Sequence, residues 1–237
     1  GLGVDPRPAG LNRPRACTAA GFRVKIVIAH FLLGPSMVNP RYLPAETRRA
    51  ETVEAVVALA AEQNPGEITT AAIAKRLGLT QGALFRHFPS KDAILEAVMG
   101  WVADRLMARV DAAIESAGSP LAAMEAAFLA HAGFVSEHPG VPRMLFGELQ
   151  RDQNTPAKTL VRTLLERYGQ RLARLVEQGR RTGEIDPGID TQVAVSGFIG
   201  TLQGLVLQSL LSGEPARIRS QAPAAFALYR RGIESRP

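Results

Sequence analysis

Between Ile68 and Lys91 the chain reads ITTAAIAKRLGLTQGALFRHFPSK, and this short stretch leaves few folds open. The pattern predicts a helix that opens at Thr69 or Thr70, where a hydroxyl caps free backbone N–H groups. Ile73, Ala74 and Leu77 recur at helical spacing, and Gly78 stops the helix. Leu79 is expected in the core. Thr80 caps a second helix, Gln81 to His87, with Leu84 and Phe88 turned inward. Pro89 ends it, because the residue before a proline avoids the helical region. Ser90 is placed to cap the next helix. Two short helices across a tight turn make a helix-turn-helix, whose second helix lies in a DNA major groove.

The charges agree. From Ile68 to Lys91 there are four basic residues, Lys75, Arg76, Arg86 and Lys91, and no acid. From Asp92 to the end, 16 basic residues balance 16 acidic ones, so the positive patch is local to the helix-turn-helix, as phosphate binding requires. A merely solvated charged face would not account for the missing acids, the glycine turn and the caps together.

The segment resembles the TetR/AcrR family of bacterial transcriptional regulators. Thr69-Thr70, Ile73-Ala74, Leu77-Gly78-Leu79, Gly82-Ala83-Leu84-Phe85, His87-Phe88 and Ser90-Lys91 carry the resemblance, which covers about Arg48 to Ile94 directly. Beyond that, the chain fits the family in length and helical character. The resemblance implies an all-α fold: a three-helix DNA-binding part at 41–92 and a helical effector-binding and dimerisation part at 93–237. It implies DNA contacts from Thr69, Thr70, Thr80, Gln81, Gly82, Ala83, Phe85, Arg86, His87 and Lys91. Gln suits adenine, Arg suits guanine or phosphate, and helix starts suit phosphate. The family usually has a tyrosine where this chain has Phe85, and its hydroxyl commonly reaches a phosphate. Here that contact is lost or passes to Arg86.

The strong overall basicity has a separate origin. Residues 1–41 alone carry a net charge of +5 out of +6 for the chain. This Gly-, Pro- and Arg-rich leader lacks helical periodicity, and its apolar run Val24 to Leu33 is about half a membrane span. Residues 1–40 are read as disordered or non-native, with Met37 as the natural start; a basic DNA-binding arm is the alternative. Cys17 is the single cysteine, which excludes an internal disulfide and suits the cytoplasm. His30, His87, His131 and His138 show no metal-ligand spacing, so neither metal nor cofactor is expected.

Periodicity predicts about nine helices. The first, Ala45 to Gln63, buries Val53, Val56, Val57, Ala60 and Ala61 and turns Arg48, Arg49, Glu51 and Glu54 outward. A fourth, Lys91 to Ser116, leaves the DNA-reading part. A fifth (Pro120 to Glu137), a short sixth (Pro139 to Gln150) and a seventh (Ala157 to Thr182, closed by Gly183) follow. The eighth, Thr191 to Leu211, lies in a stretch with no charge from Thr191 to Gly213, yet it is too rich in Gln, Ser and Thr for a comfortable membrane span. Gly197, Gly200 and Gly204 would permit close helix approach. With a ninth helix, Ala216 to Ile233, it matches the pair that the family uses for a four-helix bundle between subunits. Gly197, Gly200, Gly204, Leu207 and Phe226 are the expected dimer contacts; burial within one monomer is the alternative.

No catalytic set emerges: there is no G-x-S-x-G, no phosphate-binding glycine loop and no H-E-x-x-H, so the chain is not read as an enzyme. Trp101, Phe128, Phe134, Met144 and Phe146 are candidates to line an effector cavity, with Arg105, His131 and Gln203 as polar anchors; plain core packing is the alternative for each. The expected effector is lipophilic or aromatic, and cationic if Glu125, Glu137 or Glu148 faces it. Helix four, carrying Trp101, is the expected route from cavity to DNA. The leading expectation is a dimeric repressor on a palindromic operator, released by a small lipophilic effector. The alternative is an architectural or partner-recruiting DNA-binding protein with no small-molecule effector. A convergent set of titratable groups would favour an enzyme instead.

Overall fold

Side-chain caps at Thr69, Thr80, Ser90, Ser119, Thr155 and Asp190 start six of the helices described, whereas those that begin at Ala45, Gly140 and Ala216 follow a proline and have no side-chain cap. The computed structural model describes residues 44–235; the leader, with Cys17, His30 and Met37, lies outside them. Among the described residues there are nine α-helices, one 3-10 turn and no strand, only an isolated bridge between Ile185 and Glu234.

Helix α1 (Ala45–Glu62) buries Val53, Val56, Val57, Leu59 and Ala60. Arg48, expected outside, is buried instead, and its guanidinium donates to Glu51 at 2.8 Å. After the 3-10 turn Pro65–Glu67, α2 spans Thr70–Arg76. The Thr69 hydroxyl accepts from the Ala72 amide at 3.1 Å, which settles Thr69 as the cap. Gly78 takes φ +65°, a region where a side chain would crowd the backbone. Helix α3 (Gln81–Phe85), capped by Thr80, is two residues shorter than the sequence predicts. The amides of His87 and Phe88 both donate to the Leu84 carbonyl, at 3.0 and 3.1 Å, tightening the last turn before Pro89.

Helix α4 (Lys91–Glu115) starts on the Ser90 cap and is about 37 Å long. Its first turns pack on α1, and the rest on α5 (Pro120–Glu137) and α7 (Pro156–Thr182). Helix α8 (Thr191–Ser212), capped by Asp190, and α9 (Ala216–Ile233) complete the fold. A nest of rings holds α5, α8 and α9 together. Phe128 meets Phe198 at 5.2 Å and Phe226 at 5.5 Å, and the Tyr229 hydroxyl donates to the Ala194 carbonyl at 2.8 Å. Phe226, expected between subunits, is therefore inside the protomer core. Nothing within the protomer requires glycine at 197, since a Cβ there would meet the Tyr229 ring at an ordinary contact distance of 3.5 Å.

By length and composition α8 is the one helix among the described residues apolar enough to cross a membrane. One face, with Ala194, Val195, Phe198, Leu202 and Val206, packs on the core. The opposite face is uncovered: Val193 is 69% exposed, Leu207 50% and Leu211 80%. Gly197 and Gly200 lie on this exposed face, and Gly204 is half-buried.

Helix α6 (Gly140–Leu149) runs between α1 and the rest of the bundle. Its first residue leaves no room for a side chain. A Cβ on Gly140 would lie 2.5 Å from the Val57 carbonyl oxygen and 2.7 Å from the Ala61 amide nitrogen. Arg143 adds a bond from its guanidinium to the Ala61 carbonyl at 3.2 Å. Gly140→Ala is expected to destabilise the fold by about 1–3 kcal/mol, because the obstructing atoms are backbone. Gly147→Ala on the same helix meets open space and should be neutral or slightly stabilising. Paired thermal melts of the two variants check this; equal midpoints would contradict the close contact.

Candidate nucleic-acid interface and apolar cavity

The helix-turn-helix is held by contacts that reach across it. Buried Ile73, Leu84, Phe88 and Ile94 form its centre. Arg49 of α1 donates to the His87 carbonyl at 2.7 Å and lies 4.4 Å above the Phe88 ring, so it fixes the segment after α3. Nothing in the local motif signals this role for Arg49. The Gln81 amide donates to the Thr70 hydroxyl at 2.8 Å, tying the first turns of α2 and α3 together. Gln81, Gly82, Phe85 and Arg86 are exposed, and Ala83 and His87 half-buried. Phe85 shows 43% of its surface, although it is the aromatic residue of α3.

The basic patch is smaller than a count along the sequence implies. Arg76 makes a two-bond ion pair with Glu62 of α1, at 2.7 and 2.8 Å. The hydrogen bond from Arg76 lowers the Glu62 pKa, so this acid stays charged beside the patch. Lys75 and Arg86 remain exposed. Lys91, in the first turn of α4, places Nζ 3.5 Å from the Gly66 carbonyl.

A cavity of about 140 Å³ lies among α4, α5, α6, α7 and α8, and its lining includes the exposed side chains of Leu149, Leu165 and Gln203. Its walls are apolar apart from His131, Tyr168 and Gln203. His131, Phe134, Phe146 and Gln203 line it, where the sequence expected them. Trp101 and Arg105 do not. They lie about 100° around α4 from the lining residues Val102 and Leu106, on an outer groove with Glu137 and His138. There the Arg105 guanidinium covers the Trp101 ring at 5.1 Å. Phe128 belongs to the buried ring nest, and Met144 faces an open groove beside Ile68, Ile73 and Lys91. Tyr168 is the lining residue whose role the sequence reading missed. It sits on the leucine and valine stripe of α7, and its hydroxyl was the signal.

No acidic residue lines the cavity, which removes the basis for a cationic effector. Glu137 is paired with Arg109 at 2.6 Å, and buried Glu148 accepts from the Thr155 hydroxyl and from Arg151. Burial lowers the His131 pKa to about 4, so the ring is neutral near pH 7. Burial likewise raises the Tyr168 pKa. Among the described residues no group of three or more His, Cys, Asp or Glu could hold a metal ion.

Comparison with known proteins places this geometry. The profile "Bacterial regulatory proteins, tetR family" matches residues 53–98, and "Tetracyclin repressor-like, C-terminal domain" matches 149–225. The nucleoid occlusion factor SlmA of Aliivibrio fischeri (strain MJ11) is 27% identical over 171 residues, 71% of this chain and 85% of that protein. The ketosteroid transcriptional regulator KstR2 of Mycobacterium tuberculosis superposes with a TM-score of 0.66 at 21% identity, over 80% of this chain and 96% of that one. The fatty acid degradation regulator FadR of Bacillus halodurans gives 0.71 at 18%, over 82% and 99%. This chain belongs to the TetR family and is a DNA-binding transcriptional regulator.

Lys91→Ala is expected to weaken binding to all DNA sequences alike and to lower the salt slope of log K by about one unit. Titrations of labelled duplex at several salt concentrations check this. An unchanged slope and affinity would remove Lys91 from the interface.

Proposed function

We propose that this protein is a ligand-responsive repressor: a homodimer that binds a nearly palindromic operator and is released by a small lipophilic effector. In this reading residues 41–92 are the reading head and 93–237 the effector-binding and dimerisation part. Gln81, Arg86 and His87 reach bases or phosphates, Gly82 and Ala83 let α3 approach the groove, and Thr69, Thr70, Thr80 and Lys91 hold the backbone. The protein works in the cytoplasm, and the reading assigns it no catalysis.

One observation carries the regulatory part. Helix α6 lines the cavity with Val141, Pro142, Leu145, Phe146 and Leu149, while Gly140 and Arg143 of the same helix rest on the backbone of α1. A ligand shifts DNA binding only through different affinity for two arrangements of the protein. A short helix touching both cavity and reading head is suited to that. Helix α4 is a second such route, since Met99, Val102 and Leu106 line the cavity while its first turn belongs to the reading head, although its Trp101 lies outside the cavity.

The dimer rests on the uncovered stripe of α8. Val193, Gly200, Gly204, Leu207 and Leu211 recur at helical spacing, and Leu228 of the neighbouring α9 is 69% exposed. This uncharged helix exposes an apolar stripe between polar residues such as Gln192, Ser196 and Gln208, and such a stripe is suited to burial against another helix. A second copy of the same stripe supplies that helix and sets two heads on successive major grooves about 34 Å apart. The likeness to SlmA favours a second reading, an architectural or partner-recruiting DNA-binding protein without an effector. Dimerisation is common to both readings; dependence of operator affinity on cavity occupancy separates them.

Leu211→Glu is expected to shift the protein from dimer to monomer in light scattering and to lower operator affinity at least tenfold, with helicity by circular dichroism unchanged. A variant that stays dimeric with full affinity would move the interface elsewhere.

A further inference from the structure

Buried polar side chains in this protein are generally satisfied within the chain. Thr52 donates to the Arg48 carbonyl at 2.8 Å, Ser209 to the Val206 carbonyl at 2.8 Å, and Tyr229 to the Ala194 carbonyl. Two atoms among the described residues break the pattern: Nδ1 of His131 and the hydroxyl of Tyr168 are buried and have no hydrogen-bond partner. Both residues line the same cavity, from α5 and α7, with ring centroids 5.5 Å apart. A buried polar group without a partner is destabilising, so two on one apolar wall call for an occupant that satisfies both.

The size and chemistry of the site limit that occupant. At about 140 Å³ the cavity is well below the roughly 300–1,000 Å³ of sites for drug-sized ligands, and near the size of apolar cavities that accept a single six-membered ring. Its lining offers no charged side chain to balance a carboxylate or an ammonium. A neutral imidazole has one acceptor and one donor nitrogen, and a phenol hydroxyl can donate or accept.

We propose that the cavity binds a small, neutral, ring-sized apolar compound bearing a single hydroxyl or carbonyl oxygen, which bonds to His131 Nδ1 and the Tyr168 hydroxyl. A ligand hydroxyl donates to Nδ1 and accepts from Tyr168. A ligand carbonyl accepts from Tyr168 and from the other tautomer of His131. The inference rests on the reading of this cavity as the effector site, and it names the chemistry of the effector.

Matched six-carbon rings test it. Cyclohexanol, cyclohexanone, methylcyclohexane, cyclohexanecarboxylate and cyclohexylamine are titrated by calorimetry into the full-length protein and into Tyr168→Phe and His131→Phe. In the wild type, cyclohexanol or cyclohexanone should bind about tenfold tighter than methylcyclohexane. The better of the two identifies the oxygen function. Each variant should lose most of that advantage while its affinity for methylcyclohexane stays within about twofold, which also reports an intact cavity. Equal binding of all neutral rings, no binding of any, tighter binding of a charged ring, or an advantage that survives both substitutions would overturn the proposal. Operator release is measured separately. Selective binding without release overturns the effector reading and leaves the ligand chemistry standing; release by compounds that ignore the oxygen does the reverse.

Discussion

The contact between Gly140 and the backbone of α1 is the constraint on which the arrangement depends. Two helices meet there with no side chain between them, because any Cβ would overlap the Val57 carbonyl and the Ala61 amide. The contact fixes the distance of α6 from the reading head, and Arg143 fixes its orientation through the Ala61 carbonyl. The remaining residues of the short helix then face either the cavity or the groove beside the head. Packed interiors transmit strain, and through this contact one short helix joins the cavity wall to α1.

The polar contacts of the loop after α6 add a second clamp. Arg151 bonds to Asp92 at the start of α4 and to buried Glu148, and the carboxylate of Glu148 also accepts from the cap of α7, Thr155. The Arg151 hydrogen bond lowers the Asp92 pKa. The exposed Arg151–Asp92 pair adds little stability. The effect of these contacts is geometric: they set the start of α4 relative to the end of α6 and the start of α7.

Local chemistry made most of the fold legible. The caps at Thr69, Thr80, Ser90 and Asp190, the stop at Gly78 and the αL residue Gly183 follow from rules that act within a few residues. Hence all nine helices could be read, with ends displaced by one or two positions. What could not be read acts over long separations. The Arg76–Glu62 pair, the Arg49 bond to His87 and the buried Arg48 depend on how α1 rotates against α2 and α3. Phe226 is expected at the interface because the family pairs its last two helices between subunits, but its ring faces Phe128 within the protomer. The cavity was partly legible. His131, Phe134, Phe146 and Gln203 line it, whereas one residue of offset along α4 takes Trp101 outside. Tyr168 needed the structure, because only there does its hydroxyl prove to have no partner.

The central claim is that filling the cavity releases DNA through α6, and it can be tested before an effector is known. Val161→Phe adds a ring to the cavity wall formed by α7, remote from the reading head and from the exposed face of α8. Operator affinity of the dimeric variant is compared with the wild type at one fixed salt concentration, on a duplex selected from random sequence. The account predicts affinity at least tenfold weaker, with helicity, dimerisation and the salt slope on non-specific DNA unchanged. A folded, dimeric variant that no longer takes up ring-sized ligands yet binds the operator with full affinity would contradict it.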